Sequence, residues 1–509
     1  LRGNQRTSGE LSRREGGKIF GSGSRASIAI TILVRHSKVR RTGQCRIYYR
    51  DIGDYLNREQ KLDIIRRAGS YSHLEWTRIE PNEKRDWINQ RDGLFDTLVP
   101  LAPKEKFDAQ AQSLFSLYSR GVASGRDGWA YNFHAEQAVH AGERSIATYN
   151  ETLARINAGE VAEPDYNTQD ISWGRPQLDD LQRKRIYTPA DAEVRTAMYR
   201  PFCKQHLYWY PPLIERRYRV PHLYFHREAK NFSICLNGMG SMTNFSCLII
   251  DCQPDLELIQ KAQCFPLHWY EENKGAGISN LFGKDERTQW IQRDGITDWA
   301  LREVRSRFAG ARSLTKEDIF YYVYGLLHSP AYRARFADDL RKTLPRIPIV
   351  ERADDFMAFS RAGRELAELH LHYEHYEMPQ GVRLVIEPHA GLETEDGDYA
   401  LYAVEKMRFP AKGERATIIY NRLIRIENIP PEAYGYELSG KSAIEWIMER
   451  YAITVDKKSG IRNDPNQWSR EQGQPRYILN LLLSIIHVSL ETQRIIATLP
   501  QLEFPAQES

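Results

Sequence analysis

The residues from 199 to 270 constrain the fold of this chain most. They are dense in aromatic and β-branched side chains, and turn sequences interrupt them at Pro211-Pro212 and Asn237-Gly238. Such side chains fit the pleated surface of a sheet, and Pro and Gly mark turns between strands. Helical spacing of apolar residues flanks this region, over 134–158 and again from Thr315 onward. We therefore predict a mixed α+β fold with a mostly β centre and a helical C-terminal part.

Local signals place several individual elements. Asn57 with Gln60 forms a capping pair that predicts a helix to about Arg67, and two more helix starts follow at Thr315 and at Ser329-Pro330. Apolar stripes predict helices over 441–451 and 477–498, and another over 356–373. Residues 18–34 read as two strands joined by a small turn. Because residue 1 is Leu and this pair resembles the last hairpin of a larger domain, we expect the chain to be a fragment.

Charge and cysteine usage bound the environment of the protein. The first 50 residues hold 12 Lys or Arg and 2 Asp or Glu. This excess of positive charge predicts a polyanion near the N-terminal part, and the alternative is a solvated arm over residues 1–14. The six Cys form no CxxC pair and read as free thiols in a reducing compartment. There is no signal peptide before Ile28 and no apolar run of roughly 20 residues. These observations predict a cytoplasmic protein without a membrane span.

The strongest chemical signal is the segment 199–225, in which eight of 27 residues are aromatic against 11% in the whole chain. Basic and amide side chains are interleaved with the rings. Basic side chains contact phosphates and guanine edges, and aromatic rings pack beneath them or stack on bases. The alternative is an aromatic core with surface arginines, and composition leaves both open. The predicted DNA-binding residues are Arg200, Lys204, Gln205, Tyr208, Trp209, Arg216, Arg217 and Arg219.

Other motifs carry less. The sequence contains no Walker loop and no GxGxxG after a strand. In Asn428-Ile429-Pro430-Pro431 an isoleucine separates the Asn from the prolines, so the sequence is typical of a turn rather than of an adenine-binding motif. His370, His372 and Glu374 could hold a metal, but they are more typical of the end of an amphipathic helix. We predict no catalytic residue and no metal ligand.

Several stretches, ordered along the chain, resemble one family, the type ISP restriction–modification enzymes. These bacterial enzymes join a nuclease, a helicase-like translocase, an adenine-N6 methyltransferase and a specificity domain in one polypeptide. Residues 16–25 with 28–30, and then 51–56, resemble the end of the methyltransferase domain. The resemblance continues through the entry to the specificity region and beyond, at Ser119, Gly121, Arg126, Asp127, Trp129, Tyr131, Asn132, 199–205, 318–330, 344–348 and 440–451.

The resemblance implies an organisation. Residues 1–55 would be the terminal strands of a methyltransferase α/β domain, 56–115 a helical connector, 116–500 the DNA specificity (target recognition) domain and 501–509 a tail. The turn formed by Gly21, Ser22, Gly23, Ser24 and Arg25 would lie near the flipped base, or would be a plain glycine-rich turn. Arg126 and Asp127 would form a buried pair under Trp129, with a structural role.

The resemblance also implies a function, which is to select the DNA sequence in which an adenine is presented for N6 methylation and cleavage is directed. The methyl-donor motif and Asn-Pro-Pro-Tyr of the family are absent, so the chain is expected to be inactive alone. It would bind no cofactor itself, whereas the intact parent enzyme would use S-adenosylmethionine, ATP and Mg²⁺. The expected partners are double-stranded DNA and the upstream methyltransferase, helicase and nuclease domains, with the chain a monomer. A structural or protein-interaction scaffold and an independent enzyme with an unrecognised site remain the alternatives.

Overall fold

Helices and strands are interspersed along the part of the protein that the structure describes. The computed structural model describes residues 28–35, 45–103, 107–108, 110–273, 290–308, 311–387 and 397–505. Within these ranges the α-helices are Arg58–Ala68, Asp127–Ala130, Ala135–Asn157, Arg175–Gln182, Val220–Leu223, Asp298–Arg307, Lys316–Leu327, Pro330–Arg335, Ala337–Lys342, Ala353–Leu371, Asp398–Tyr402, Ala443–Arg450, Pro465–Glu471 and Tyr477–Ala497. Short 3₁₀ turns lie at Tyr71–His73, Gly93–Thr97, Pro189–Asp191, Pro211–Leu213, Ala311–Ser313 and Pro431–Tyr434.

Two four-stranded sheets form the centre. The first has the order Gln253–Pro254, Glu193–Arg200, Cys203–Trp209 and Tyr131–Asn132; the second has the order Ser119–Arg120, Gln263–Pro266, Ser233–Leu236 and Cys247–Ile250. In the second sheet, every residue of the last three strands is buried, which explains their nearly continuous apolar sequence. Smaller pairings join Ile47–Tyr49 to Thr77–Ile79, Val99–Pro100 to Arg346–Ile347, His268–Glu272 to Trp290–Asp294, Glu437–Leu438 to Lys441–Ser442, Thr454–Val455 to Arg462–Asn463, and Ile424–Glu427 to both Arg383–Ile386 and Ile418–Ile419.

The mixed α+β fold is confirmed, and most of the predicted helix starts are found where the capping residues placed them. Asn57 and Thr315 each accept a hydrogen bond from a backbone N–H of the first turn and complete a capping box. The helix predicted over 441–451 from its apolar stripe runs from Ala443 to Arg450, and Ser442 forms a capping box at its start. Ser329 caps the helix that begins at Pro330. The predicted strand pair over 18–34 fares differently: residues 28–35 form no strand, and the rest of it lies outside the described residues.

The predicted helical connector, residues 56–115, packs in part against the main core. Phe95 is buried in the main core, and the backbone N–H of Asp92 donates to the carboxylate of Asp339 at 3.0 Å. Arg335 forms an ion pair with Asp92 at 2.6 Å. Residues 92–103 therefore pack as part of the main body, through contacts with residues some 250 positions away that no local pattern could indicate.

Two helices cross at unusually short range. Gly325 on helix Lys316–Leu327 faces Gly363 on helix Ala353–Leu371. A methyl group at Gly325 would overlap the carbonyl oxygen of Phe359, and one at Gly363 would overlap the carbonyl oxygen of Tyr321. Glycine is required at both positions because only a residue without Cβ lets the two backbones approach so closely.

Two buried histidines, His328 and His370, lie at the C-terminal ends of the same two helices, with their ring centroids 5.7 Å apart. His370 has one ring nitrogen 2.6 Å from the hydroxyl of Tyr324 and the other 2.8 Å from the hydroxyl of Thr492, and its ring stacks on Tyr436. One ring nitrogen of His328 lies 2.8 Å from the carbonyl oxygen of Tyr324. Burial, reinforced by the charge of Arg333, lowers the pKa of His370 to about 3 and lowers that of His328 well below its ordinary value. Both rings are therefore neutral hydrogen-bonding groups of the core.

Strand Cys203–Trp209 separates two hydrophobic cores. Cys203, Leu207 and Trp209 point into the main core, whereas Tyr208, together with Tyr210 just beyond the strand, belongs to a smaller one. Helix Ala135–Asn157 closes the smaller core, in which the rings of Tyr149 and Tyr187 stack 3.6 Å apart. The alternation of side chains along one strand thus supplies both cores.

Candidate nucleic-acid interface

The aromatic and basic segment 199–225 divides into an interior part and an exposed part. Its first half contains the end of strand Glu193–Arg200 and all of strand Cys203–Trp209, the two central strands of the first sheet, and most of its aromatic rings are buried. Phe202 is inaccessible to solvent, and Tyr208 and Trp209 are 4% and 5% exposed. For the aromatic residues the structure thus favours the alternative of an aromatic core. Stacking of Tyr208 or Trp209 on a base would require these rings to leave that core.

Arg200 lies inside the protein with two carboxylates. Its guanidinium donates to Asp255 at 2.7 Å and to Asp127 at 3.3 Å, and it lies over the ring of Tyr199. Burial alone would lower the pKa of Arg200, but Asp255, Tyr199 and Asp127 outweigh it and raise the pKa. Burial raises the pKa of Asp255, and the positive charge of Arg200 acts in the opposite direction. A contact of Arg200 with DNA would break both ion pairs and leave a buried carboxylate unpaired.

Lys204 and Gln205 also have partners within the protein. The ammonium of Lys204 donates to Glu374 at 2.7 Å and lies over the ring of Tyr373. Gln205 is 3% exposed, and its side-chain oxygen accepts a hydrogen bond from the amide of Asn463. We therefore assign structural roles to these two residues and to Arg200, in place of the DNA contact that the sequence suggested for them.

Arg216, Arg217 and Arg219 form the exposed part, on the segment between the 3₁₀ turn Pro211–Leu213 and the helix Val220–Leu223. Arg216 and Arg217 are exposed and Arg219 is half-buried over the ring of Phe107. No carboxylate among the described residues lies within ion-pair distance of these three guanidinium groups. A fourth guanidinium, that of Arg120, lies over the ring of Tyr218. We call Arg120, Arg216, Arg217 and Arg219 the arginine surface.

Backbone hydrogen bonds hold the arginine surface against the second sheet. The N–H of Arg216 donates to the carbonyl of Ala123 at 3.0 Å, and the N–H of Ala123 donates to that of Arg216 at 2.9 Å. The N–H of Arg219 donates to the hydroxyl of Ser119 at 3.0 Å. Because the backbone is fixed by bonds that involve no arginine side chain, the guanidinium groups are free to contact a ligand.

Arg126, Asp127 and Trp129 have structural roles, but not as the predicted pair. Arg126 is 5% exposed and donates to the carbonyl of Leu213 and to Gln177, whereas Asp127 accepts from Arg200. Burial lowers the pKa of Arg126, although Glu215 at 4.0 Å opposes this. The expected Arg126–Asp127 ion pair is therefore wrong, because each residue has a partner distant in sequence. The indole N–H of Trp129 donates to the carbonyl of Gln169 at 3.1 Å.

Arg120 is the residue of this surface that sequence reasoning missed. It follows Ser119 at the edge of the second sheet and pairs in register with Gln263. Lying 96 residues before Arg216, it carries no local signal of its own except its place beside Ser119 and Gly121. The predicted turn from Gly21 to Arg25 lies outside the described residues.

Cofactor and metal binding depend on how strands pair and on how possible ligands are grouped. A methyl-donor site of the doubly wound type needs parallel strands, and parallel pairing here is confined to Gln253–Pro254 with Ala197 and Met198 and one isolated bridge. No group of three His, Cys, Asp or Glu in this part of the chain could hold a metal ion, and Glu374 instead pairs with Lys204. Nor does any of its helices combine the length and apolarity needed to cross a membrane.

Comparisons with known proteins agree on one family. Residues 113–481 match the family described as the Type ISP C-terminal specificity domain. A nuclease-deletion mutant of the Type ISP restriction–modification enzyme LlaGI, in complex with a DNA substrate mimic, is 37% identical with a TM-score of 0.83. The ATP-dependent Type ISP enzyme LlaBIII bound to DNA is 36% identical with a TM-score of 0.77, and DrdV in a DNA complex is 28% identical with a TM-score of 0.81.

These matches cover nearly all of this chain but less than half of each solved relative. They cover 99%, 90% and 99% of this chain but only 43%, 28% and 47% of the LlaGI, LlaBIII and DrdV chains, respectively. The chain thus spans less than half the length of these solved relatives. No curated protein sequence matches the chain significantly.

Proposed function

This chain belongs to the Type ISP C-terminal specificity domain family, and we propose that it binds double-stranded DNA and selects the target sequence of a restriction–modification enzyme. The observation that carries the proposal is the arginine surface, where several guanidinium groups lie together without a carboxylate partner among the described residues. Guanidinium groups that have no ion-pair partner and lie on a fixed backbone can bind phosphates. They can also bind guanine edges in a bidentate manner. The solved relatives, which were determined with DNA or a DNA mimic, support it.

In this proposal the chain presents one adenine for N6 methylation and directs cleavage, while the chemistry belongs to other parts of a larger enzyme. Extrusion of a base costs a few kcal/mol, so a protein that holds the flanking duplex decides which adenine is presented. S-adenosylmethionine, ATP and Mg²⁺ would be bound by those other parts. We expect equilibrium dialysis of the chain with labelled S-adenosylmethionine to detect no binding, and saturable micromolar binding would contradict this assignment.

Alanine substitution of Arg216, Arg217 and Arg219, one at a time, tests the arginine surface. A phosphate contact should weaken binding to every duplex and lower the salt slope by about 0.9, because one fewer counterion is released. A base contact should cost about 1–3 kcal/mol on the selected duplex alone. The measurement is fluorescence anisotropy over a range of salt concentrations, on a duplex of mixed sequence and on one enriched from a random pool.

Arg494→Ala is the matched control, because Arg494 is an exposed arginine of the C-terminal helix that pairs with Glu491. If all three surface variants bind like the parent chain, the arginine surface is not the interface. If the parent chain binds no duplex at any salt concentration, the protein is a scaffold rather than a DNA reader.

We further propose that the chain reads DNA as a monomer and selects a non-palindromic site. A dimer with a two-fold axis requires a palindrome, whereas a single asymmetric reader does not. Light scattering of the complex should give one chain per duplex, and selection from random duplexes should enrich an asymmetric sequence. A palindrome bound by two chains would refute this.

A further inference from the structure

The loop from Asn237 to Ser246 exposes two methionines at its tip. It connects strands Ser233–Leu236 and Cys247–Ile250, and Met239 and Met242 are 47% and 37% exposed on either side of Gly240. Other methionines of the chain, such as Met198 and Met407, are buried. Flexible, polarisable methionine side chains that lack packing partners are typical of surfaces that adapt to a ligand. We call residues 237–246 the methionine loop.

The backbone of the methionine loop is held by a buried polar network. The amide of Asn237 donates to the hydroxyls of Ser241 and Thr243 at 3.1 and 3.2 Å, and the N–H of Ser246 donates back to the Asn237 side chain. The side-chain oxygen of Gln260 accepts from the hydroxyl of Ser241 and from the N–H of Met242, both at 2.7 Å. Its hydrogen bonds thus fix the loop before any partner binds, so binding incurs little ordering cost.

Two cations flank the methionines. Lys261 donates to the carbonyl of Gly240 at 2.9 Å, and Arg341 donates to the side-chain oxygen of Asn244 at 3.0 Å. These acceptors are neutral, and no carboxylate of the described residues lies within ion-pair distance of either cation. Glu257 feels the charge of Lys261 without forming an ion pair with it. The loop therefore presents apolar side chains between two positive charges that form no ion pair with the described residues.

The methionine loop emerges at the same end of the second sheet as the arginine surface. Leu236, Gln263 and Arg120 lie side by side on three neighbouring strands, and the loop begins directly after Leu236. Strands in a sheet are about 4.8 Å apart, so the start of the loop lies about 10 Å from Arg120. One polyanion can therefore contact both.

We propose that the methionine loop is a second DNA-contacting element, in which Met239 and Met242 press against the bases of the duplex while Lys261 and Arg341 bind the flanking phosphates. Apolar side chains that wedge against a base step, anchored by basic residues beside them, are one way in which proteins deform and read DNA. This proposal rests on the proposed function, because it assumes that the chain binds duplex DNA. Its partner follows from the charge of the loop and from its continuity with the arginine surface.

Variants of the loop separate the two kinds of contact. The double variant Met239→Ala with Met242→Ala should weaken binding to a mixed-sequence duplex by about tenfold and leave the salt slope unchanged, because apolar contact area is lost and no charge. The double variant Met239→Leu with Met242→Leu should retain most of the affinity. Lys261→Gln and Arg341→Gln should each lower the salt slope by about 0.9. A duplex carrying 2-aminopurine should lose its binding-induced fluorescence change with the alanine double variant.

Met378→Ala is the matched control, because Met378 is also an exposed methionine, at 38%, but lies in a groove with Glu374 and Trp468. Unchanged thermal melting of each variant checks folding. If Arg217→Ala weakens binding while the alanine double variant binds like the parent with unchanged 2-aminopurine fluorescence, the methionine loop is overturned and the proposed function stands. If the parent chain binds no duplex, the proposed function fails first.

Discussion

Acid should destabilise the protein, because it favours protonation of the two buried histidines. The contribution of His370 to this loss of stability can be measured separately. The pKa of His370 is lowered to about 3 in the folded chain, whereas an unfolded histidine titrates near about 6.5. Between these values the unfolded state binds one more proton than the folded state, so the free energy of unfolding falls as the pH falls. From about pH 7.5 to about pH 5.0 this one group should remove about 2 kcal/mol.

The test is a difference between two proteins, because other groups titrate in the same window with the opposite sign. Burial raises the pKa of Asp339 to about 6, and it also raises that of Asp255. The folded state therefore holds extra protons on these carboxyls, which stabilises it as the pH falls. In His370→Gln the carboxyls and His328 are retained, so their contributions cancel when parent and variant are compared.

Urea unfolding at several pH values between about 5.0 and 7.5 measures this difference. The glutamine keeps a donor and an acceptor for Tyr324 and Thr492, and its side chain does not titrate. The free energy of unfolding of the parent should exceed that of His370→Gln most at pH 7.5. This advantage of the parent should be smaller by about 2 kcal/mol at pH 5.0. An advantage that is independent of pH would refute the assignment of His370 as a neutral core group. An advantage that grows in acid would mean that the folded state prefers the protonated ring.

Three further changes test the packing, each by urea unfolding. Arg200→Ala should cost about 3–5 kcal/mol because it leaves Asp255 buried and unpaired, and adding Asp255→Asn should recover part of the loss; equal instability of the single and double variants would contradict the ion pair. Gly363→Ala should destabilise the protein by about 2–3 kcal/mol, because the added methyl group would overlap the carbonyl oxygen of Tyr321. Helix propensity alone would make the alanine variant about 1 kcal/mol more stable, so a stabilised variant would contradict the close approach of the two helices. Ser442→Ala should cost about 1 kcal/mol by removing the helix cap, and Ser442→Asp should cost less if the cap is the cause.

Local signals predicted the helices well because a helix cap is a contact within four residues. Asn57, Thr315 and Ser329 were recognisable from the sequence for that reason, and each caps a helix in the structure. The helix predicted over 356–373 runs from Ala353 to Leu371, so its core was right and its ends differ by two or three residues. In the region predicted to be mostly β, strands are the main regular elements, with one short helix at Val220–Leu223 and a 3₁₀ turn at Pro211–Leu213 between them.

The division of the basic segment could not be predicted, because it depends on partners far away in sequence. Arg200 and Arg217 stand in the same run of aromatic and basic residues, yet only Arg200 meets Asp127 and Asp255, which lie 73 and 55 positions away. Arg126 similarly finds Leu213 rather than its neighbour Asp127. DNA contact by Arg216, Arg217 and Arg219 stays a prediction.

Strand Cys203–Trp209 contributes side chains to both cores. It therefore limits where this protein can be joined to a relative in a chimaera. An exchange joint between helix Ala135–Asn157 and Tyr208 would combine one parent's helix with another parent's Tyr208 and Tyr210, so the smaller core would be divided between the parents. Because the same strand also contributes to the main core, a register slip of one residue there would turn Lys204 and His206 toward the main core. Chimaeras that aim to transfer sequence preference should therefore keep residues 135–213 from a single parent. The arginine segment 216–219 and the methionine loop can be exchanged separately, since neither contributes a buried hydrophobic side chain to either core.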